Sequence, residues 1–507
     1  MREKEEIRLF NIRYFPLFAA FFILGIFCVK VSFAVAAILW VVAAFCAFAL
    51  FFAKKINKAV AIALVAATFL GYGAARLNLF LRNDVGLQGE AEVTCRVTAV
   101  STRTIESEED EEEETVIYRV SADSLKSDKS YGGGVFFETE TPLSPGDRVA
   151  VRGDVFIRQL SLDSFAEALR YRKGCKYQID DPEVVSVSTG KSPLSYRVKA
   201  AARRILIKSQ GSRAGAFAYA TLFGDTDYMF ESDKSAMREV GVAHVFAVSG
   251  LHIGVLAGVL LFLLRKFKLK DGVSLLILLP IFGFYAYLSG FTPSVLRAVI
   301  MVSLGLAASH FGMRYDGISS LSFAAIVILL ARPLLLFDLS SVMSFLAIFG
   351  LQSLTSPLKQ AFVRRKMKEG LAEALALSIA TTVALVPVSA VVFGRITLVG
   401  FLLNVIVVPL ASVSYVLTLI GLLLTAIIPS FGAFLGAVSV LPGAIITIST
   451  AVASLGLTVN YDFSTAEILL YYAILAFVGK YSLASKKVKL VAGGMGAGVL
   501  VALILAV

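Results

Sequence analysis

The chain has 507 residues, of which 57% are apolar and only 17% charged, and its formal net charge is +11. Soluble domains run at about 45–50% apolar and about 25% charged, so this composition excludes an ordinary cytosolic enzyme; it equally excludes a disordered chain. Apolar stretches of about 20 residues recur, the length an α-helix needs to cross a bilayer. The pattern is that of a polytopic α-helical membrane protein.

Three apolar helices come first, predicted at residues 14–29, 31–53 and 60–80. Arg2, Lys4, Arg8 and Arg13 flank the first, and Lys54, Lys55 and Lys58 follow the second. Basic loops stay inside, so the N-terminus is expected in the cytoplasm and the third helix leads outward. Ala34-Val35-Ala36 mimics a signal cleavage site, but the apolar run continues to Ala53. An uncleaved anchor is therefore expected. Residues 1–81 form this N-terminal membrane segment.

Residues 82–192 hold 14 Lys/Arg against 22 Asp/Glu, a net of −8, while the remainder carries +19. Positive-inside bias accounts for most of that excess. Alternation in Ala91-Glu92-Val93-Thr94-Cys95-Arg96-Val97 and in Asp147-Arg148-Val149-Ala150-Val151-Arg152-Gly153 predicts strands. Gly132-Gly133-Gly134, Pro142 and Pro145-Gly146 supply the turns. Several short strands in about 110 residues suit a small OB-like β-barrel, placed extracytoplasmically by the charge argument. Arg148, Arg152 and Arg158 are spaced to line a surface, but residues 106–114 include eight acids, a solvated loop that would repel a polyanion. Cys95 and Cys175 fall in this segment, where an extracytoplasmic setting permits a disulfide between them.

An amphipathic connector, residues 193–241, leads to a second membrane block, residues 242–507. Basic inner loops recur at residues 265–270, Arg314, 359–368 and 486–489. About ten crossings lie between and beyond them, some expected to be interrupted by Pro387 and Pro409, for a total of about 11–13 transmembrane helices. An odd total places the C-terminus outside.

The most distinctive run is His244-Val245-Phe246-Ala247-Val248-Ser249-Gly250-Leu251-His252-Ile253-Gly254, which holds two of the three histidines. Gly250, Gly254 and Gly258 recur every four residues, the spacing that lets helix backbones approach in a membrane. Ser249-Gly250 is also a place where a helix can break, which is tolerated at depth only beside a cavity or under protein cover. Tight packing and a discontinuous helix beside a pore both fit. His244 and His252 are about two turns apart and have no third ligand in view, so no metal site is expected.

In Phe291-Thr292-Pro293-Ser294-Val295-Leu296-Arg297, Thr292 suits a helix N-cap and Pro293 the first helical position. Arg297 then lies about one turn inside a membrane helix, where charges face a cavity or a partner. An anion-attracting mouth at this helix start and a structural pair with Asp338 are the two readings. Ser340, Ser341 and Ser344 form a polar stripe, and Asn404 with Pro409 marks an expected irregular segment. Thr189-Gly190-Lys191-Ser192 imitates a phosphate-loop ending, yet Val185 stands where that loop needs its first glycine. No catalytic constellation is visible, and neither an enzyme activity nor a cofactor is expected.

The His244–Gly254 run resembles the ComEC family of bacterial competence proteins, whose core reads approximately G-x-x-H-[LV]-x-A-[IV]-S-G-L-H-[IV]-G. Gly241, His244, Val245, Ala247, Val248, Ser249, Gly250, Leu251, His252, Ile253 and Gly254 match it in register. Further blocks follow in order, from Leu288 to Ala298, from Phe337 to Leu346, and from Phe393-Gly394 to Asn404 and Pro409. The resemblance implies a channel in the bacterial cytoplasmic membrane that passes one strand of transforming DNA. It also implies membrane lipid around the chain, a separate DNA receptor and a separate cytoplasmic motor. Its channel region would include His244, Ser249, Gly250, His252, Arg297, Ser344 and Asn404. Many relatives continue into a metallo-β-lactamase-like nuclease domain; here the chain stops at Val507, so that nuclease is expected as a separate protein or as a removed segment. The alternative reading is a membrane permease or assembly scaffold for another substrate, without DNA uptake.

Overall fold

A computed structural model describes residues 14–52, 56–83, 87–106, 114–127, 130–131, 133–157, 175–246, 248–397, 399–461 and 463–480. Most of these are helical. Among the described residues, eight helices are long and apolar enough to cross a membrane, and Tyr14–Phe27, Gly317–Ala331 and Ala466–Val478 are shorter apolar helices. The protein is thus a polytopic helical membrane protein with an inserted small barrel. The crossing expected within residues 488–507 lies outside the described residues, as do Arg158 and the centre of the acidic loop.

The chain divides into two compact units, one made of residues 18–202 and 326–342, the other drawn from residues 203–325 and 343 onward. In the first, helices α1 (Tyr14–Phe27), α2 (Phe33–Phe52) and α3 (Lys58–Asn83) precede the barrel. Asn57 starts α3 by accepting the Val60 N–H at 2.9 Å, a standard N-cap. Helices α1 and α3 meet through glycines. A Cβ on Gly25 would lie 1.9 Å from the Thr68 carbonyl oxygen, and one on Gly71 would lie 2.2 Å from that of Phe22.

Strands β1 (Gly89–Glu106), β2 (Glu114–Lys126), β3 (Gly134–Thr139), β4 (Arg148–Ile157) and β5 (Cys175–Ser188) close into a barrel in the order β1-β2-β3-β5-β4. Strand β1 is antiparallel to both β2 and β4, and β3 runs parallel to β5. This is an OB-like arrangement. The period-2 pattern sends Val93, Cys95 and Val97 of β1 and Val149, Val151 and Val155 of β4 into a core with Phe137, Tyr177 and Ile179. Gly153 permits the tight approach to β5, since its Cβ would sit 2.6 Å from the Ile179 side chain.

The disulfide that an extracytoplasmic setting would permit is not formed. Cys95 and Cys175 are both buried and neither is joined in a disulfide. Their strands are not neighbours, because β4 separates β1 from β5 on one side and β2 with β3 on the other. Two strand spacings of about 4.8 Å exceed the reach of a disulfide.

In the second unit, α4 (Leu194–Gln210, shared with the first), α5 (Ser212–Phe223) and α6 (Glu231–Glu239) lead to a 3-10 turn, Ala243–Val245. Then come α7 (Gly250–Lys266), α8 (Asp271–Leu288), α9 (Pro293–His310), α10 (Gly317–Ala331), α11 (Leu339–Arg364), α12 (Glu369–Phe393), α13 (Gly400–Ile427), α14 (Gly432–Val438), α15 (Val440–Ala453) and α16 (Thr465–Val478). Residues 215–223 of α5 are all buried, so this part of the connector is core. Phe217, Met237, Val245, Leu403, Val407, Ile445 and Ile446 share one apolar cluster. Pro387 and Pro409 interrupt nothing, and Asn404 lies in regular helix: α12 and α13 run unbroken through them. Within a bilayer there is no water to compete for the freed carbonyl, and packed neighbours tolerate the proline.

Candidate functional site

The segment 244–252 is built around a break between helices. Val245 closes the 3-10 turn by donating to the Val242 carbonyl, and α7 begins at Gly250. Ser249 is the N-cap: its Oγ accepts the Leu251 N–H at 3.3 Å, and its own N–H donates to His252 Nδ1 at 3.2 Å. That reciprocal pair is a capping box in which histidine stands where glutamate or glutamine is usual. Accepting at Nδ1 requires a neutral ring protonated on Nε2. His252 is 1% exposed, and its ring stacks against Tyr415 of α13 at 4.7 Å. The histidine therefore fixes where α7 starts.

His244 behaves differently. It lies in the 3-10 turn Ala243–Val245 and is exposed.

Arg297 is carried by α9, which starts at Pro293 after Thr292, as the sequence predicts. Between α8 and α9, Gly290 (φ 71°) and Phe291 (φ 51°) both take left-handed conformations, and the Phe291 N–H closes on the Ala286 carbonyl at 2.7 Å. That turn fixes the register of α9. The guanidinium is buried, with 3% of the residue exposed. Its Nη1 donates to the Ser344 backbone carbonyl, and its centre stands 5.8 Å from the Phe345 ring. Among the described residues of its unit, no carboxylate forms an ion pair with it. A charge at bilayer depth costs roughly 2.5–3.5 kcal/mol on insertion scales, and one carbonyl with one ring is thin compensation. Asp338 accepts the Ser341 N–H at 2.9 Å.

Arg297 also meets the start of a helix, but not its own. A Cβ on Gly250 would lie 2.4 Å from Nη2, so glycine at the first position of α7 makes room for the guanidinium. Ser249, Gly250, His252, Arg297 and Ser344 are thus brought together, Ser344 through its carbonyl. Gly254 and Gly258 are not helix-packing residues: no atom among the described residues comes within 4 Å of a Cβ at either. Asn404 sits beside Leu403, which packs with Val245, and its Oδ1 is buried without a partner.

Sequence reasoning missed Tyr415 and the small-residue seam between α11 and α12. Ala372, Ala376, Ala380 and Ala384 are all fully buried, and a Cβ on Gly350 would lie 2.4 Å from that of Ala384. The four-residue alanine spacing was the available signal.

On the barrel, Arg152 pairs with Glu92 at 3.1 Å and Arg119 with Glu138 at 2.8 Å. Arg148 is exposed. The exposed face is of mixed sign. Among the described residues, no three His, Cys, Asp or Glu side chains gather as a metal would need.

A family model described as Competence protein matches residues 221–485. Over 213 residues the chain is 28% identical to "ComE operon protein 3" of Bacillus subtilis (strain 168), covering 41% of this chain and 26% of that protein. Over 190 residues it is 28% identical to "Uncharacterized protein YcaI" of Escherichia coli (strain K12), covering 35% of this chain and 25% of that one. The alignments thus span about a quarter of the length of each relative. No solved structure matches significantly.

Proposed function

Because this chain belongs to the competence protein family, matched over residues 221–485, we propose that it conducts single-stranded DNA across the cytoplasmic membrane during DNA uptake. The observation that carries the reading is Arg297: a buried guanidinium in an apolar helix, with no carboxylate paired to it in its unit, set against the start of a second helix. A membrane protein keeps such a charge where something negative passes or binds. His244, exposed beside the break before α7, and Asn404, with an unserved carbonyl oxygen, add further polar groups to this unit.

In this reading the N-terminus faces the cytoplasm and the barrel lies outside. A receptor delivers DNA and a separate motor supplies energy. The test is internalisation of labelled DNA by a deletion strain and by the same strain carrying the gene. Deletion is expected to abolish internalisation and complementation to restore it; unchanged internalisation in the deletion strain overturns the conduit and favours a permease or scaffold for another substrate. Orientation is checked by replacing exposed Ser188 with cysteine and treating intact cells with a membrane-impermeant maleimide. Labelling only after lysis reverses the topology.

A further inference from the structure

We infer that Arg297 and the first turn of α7 form a discrete binding locus for one phosphate oxyanion, carried by a nucleic-acid backbone or by a phospholipid head group. The inference rests on the conduit reading only for naming nucleic acid as a source.

The two halves come from different helices and are both positive. Nη1 of Arg297 is committed to the Ser344 carbonyl. Nε is buried and has no hydrogen-bond partner. Nε and Nη2 share the opposite edge of the guanidinium, the edge that grips a phosphate or carboxylate with two parallel bonds. Nη2 is directed at Gly250, and Gly250 occupies the first position of a 17-residue helix.

At α7 the caps serve some amides and leave others. Ser249 Oγ takes the Leu251 N–H, and His252 Nδ1 takes that of Ser249. The Gly250 N–H, at the first helical position, has no partner within the helix. The partial positive charge of a helix start and a full guanidinium charge thus face each other, and no carboxylate of the unit pairs with that guanidinium. Two positive groups held together in an apolar setting call for an anion. Phosphate is the oxyanion that both an N-terminal amide and a guanidinium edge recognise. The absent Cβ at position 250 lets the guanidinium come up against the helix start, so that one anion can be shared by both.

The test uses the full-length chain in detergent, stripped of lipid. Fluorescence anisotropy follows three labelled probes of equal length: oligo-dT, an abasic strand with the same phosphates, and a neutral methylphosphonate strand. Oligo-dT and the abasic strand are expected to bind alike, and the methylphosphonate strand at least tenfold more weakly. Arg297→Gln and Gly250→Ala should each weaken oligo-dT about tenfold or more. Each should also reduce the slope of log K against log salt by about 0.7, the loss of one phosphate contact on a single strand. Arg297→Lys, which keeps the charge but loses the fork, should fall between; Gly254→Ala, with nothing near its Cβ, should bind as wild type. Where Arg297→Gln fails to fold, Gly250→Ala and Arg297→Lys decide.

Added phosphatidylglycerol distinguishes the two sources. Displacement of oligo-dT from wild type, but not of the residual binding to Gly250→Ala, assigns the locus to lipid; no displacement assigns it to the strand. Wild-type affinity and salt slope in the variants, or equal binding of the methylphosphonate strand, overturns the locus and leaves the conduit untouched. A deletion strain that still internalises DNA removes the conduit and leaves the locus standing.

Discussion

The barrel and the helical unit solve the polar-group problem in opposite ways. In the barrel, ladder hydrogen bonds and an aliphatic interior satisfy nearly everything; among its described residues, only Ser121 Oγ is buried without a partner. The helical unit leaves a string of such atoms, from Ser274, Thr292 and Ser303 to Arg297 Nε, Asn404 Oδ1 and Thr418 Oγ1. Buried polar atoms without partners are rare in folded proteins, and each asks for an explanation. The difference teaches that the barrel is finished by its own side chains, whereas the helical unit keeps polar groups that its own side chains do not serve.

The largest effect should come from breaking the finished half. Phe137 is fully buried in the barrel core, and Phe137→Ala should destabilise it by about 3–5 kcal/mol. Cys95 reports the loss. Burial, with Asp123 adding to it, holds that thiol up to about 12 against an ordinary 9.0. Maleimide labelling of Cys95 in the full chain should therefore be slow in wild type and more than about a hundredfold faster in Phe137→Ala. The pH dependence has a definite sign. The folded barrel keeps a proton that the unfolded chain releases, so this group lowers stability as pH rises from about 9 to 12 and contributes no slope below that window. Rapid labelling of wild type at pH 8 would mean the barrel core is open, and the comparison would fail.

The next effect tests where the helical unit is tightly packed. Gly350→Ala places a methyl 2.4 Å from Ala384 Cβ and 2.6 Å from the Ala380 carbonyl oxygen. Overpacking of this kind costs about 1–3 kcal/mol. Gly254→Ala meets nothing and should gain about 0.5–1 kcal/mol by restricting the unfolded chain and favouring helix. Thermal unfolding midpoints in one detergent should move in opposite directions for the two variants. A matching loss for both would restore the glycine repeat of α7 as a packing face.

How much of this was legible in the sequence depends on the range of the interaction. Period-2 alternation gave the barrel strands because a residue and its neighbour two along face the same core. Ser249-Gly250 as a helix break and Thr292-Pro293 as a helix start were legible because both are local signals, although the Thr292 hydroxyl itself caps nothing. The meeting of Arg297 with Gly250 was not, since those residues are far apart in the chain and no local rule joins them. The glycine repeat at 250, 254 and 258 misled because spacing reports a shared helix face but not whether another helix lies against it. Gly25, Gly71 and Gly350 make the close approaches. Pro387 and Pro409 misled because the breaking rule was formed in water.

The smallest effect is also the most direct probe of the unserved polar atoms. In a membrane helix a serine or threonine hydroxyl ordinarily bonds the carbonyl four residues back. Thr381 does so to Leu377, Ser412 to Val408 and Ser449 to Ile445. Thr418 is 1% exposed, on the same helix as Ser412, and its Oγ1 has no such partner. Thr418→Val keeps the shape and removes only the hydroxyl. If that hydroxyl bonds nothing, the substitution removes a desolvated polar atom and should leave stability unchanged or raised by less than about 1 kcal/mol. If a water in the interior serves it, the same substitution should cost about 1 kcal/mol, in the range of a single buried hydrogen bond. The unfolding midpoint of Thr418→Val, measured beside Ser412→Ala, separates the two, because Ser412→Ala loses a bond within its own helix in either case. A cost at Thr418 matching that at Ser412 would show that the helical unit is wet at this level. No cost would mean the unpartnered atoms are dry, and would confine the polar region to Arg297, His244 and Asn404.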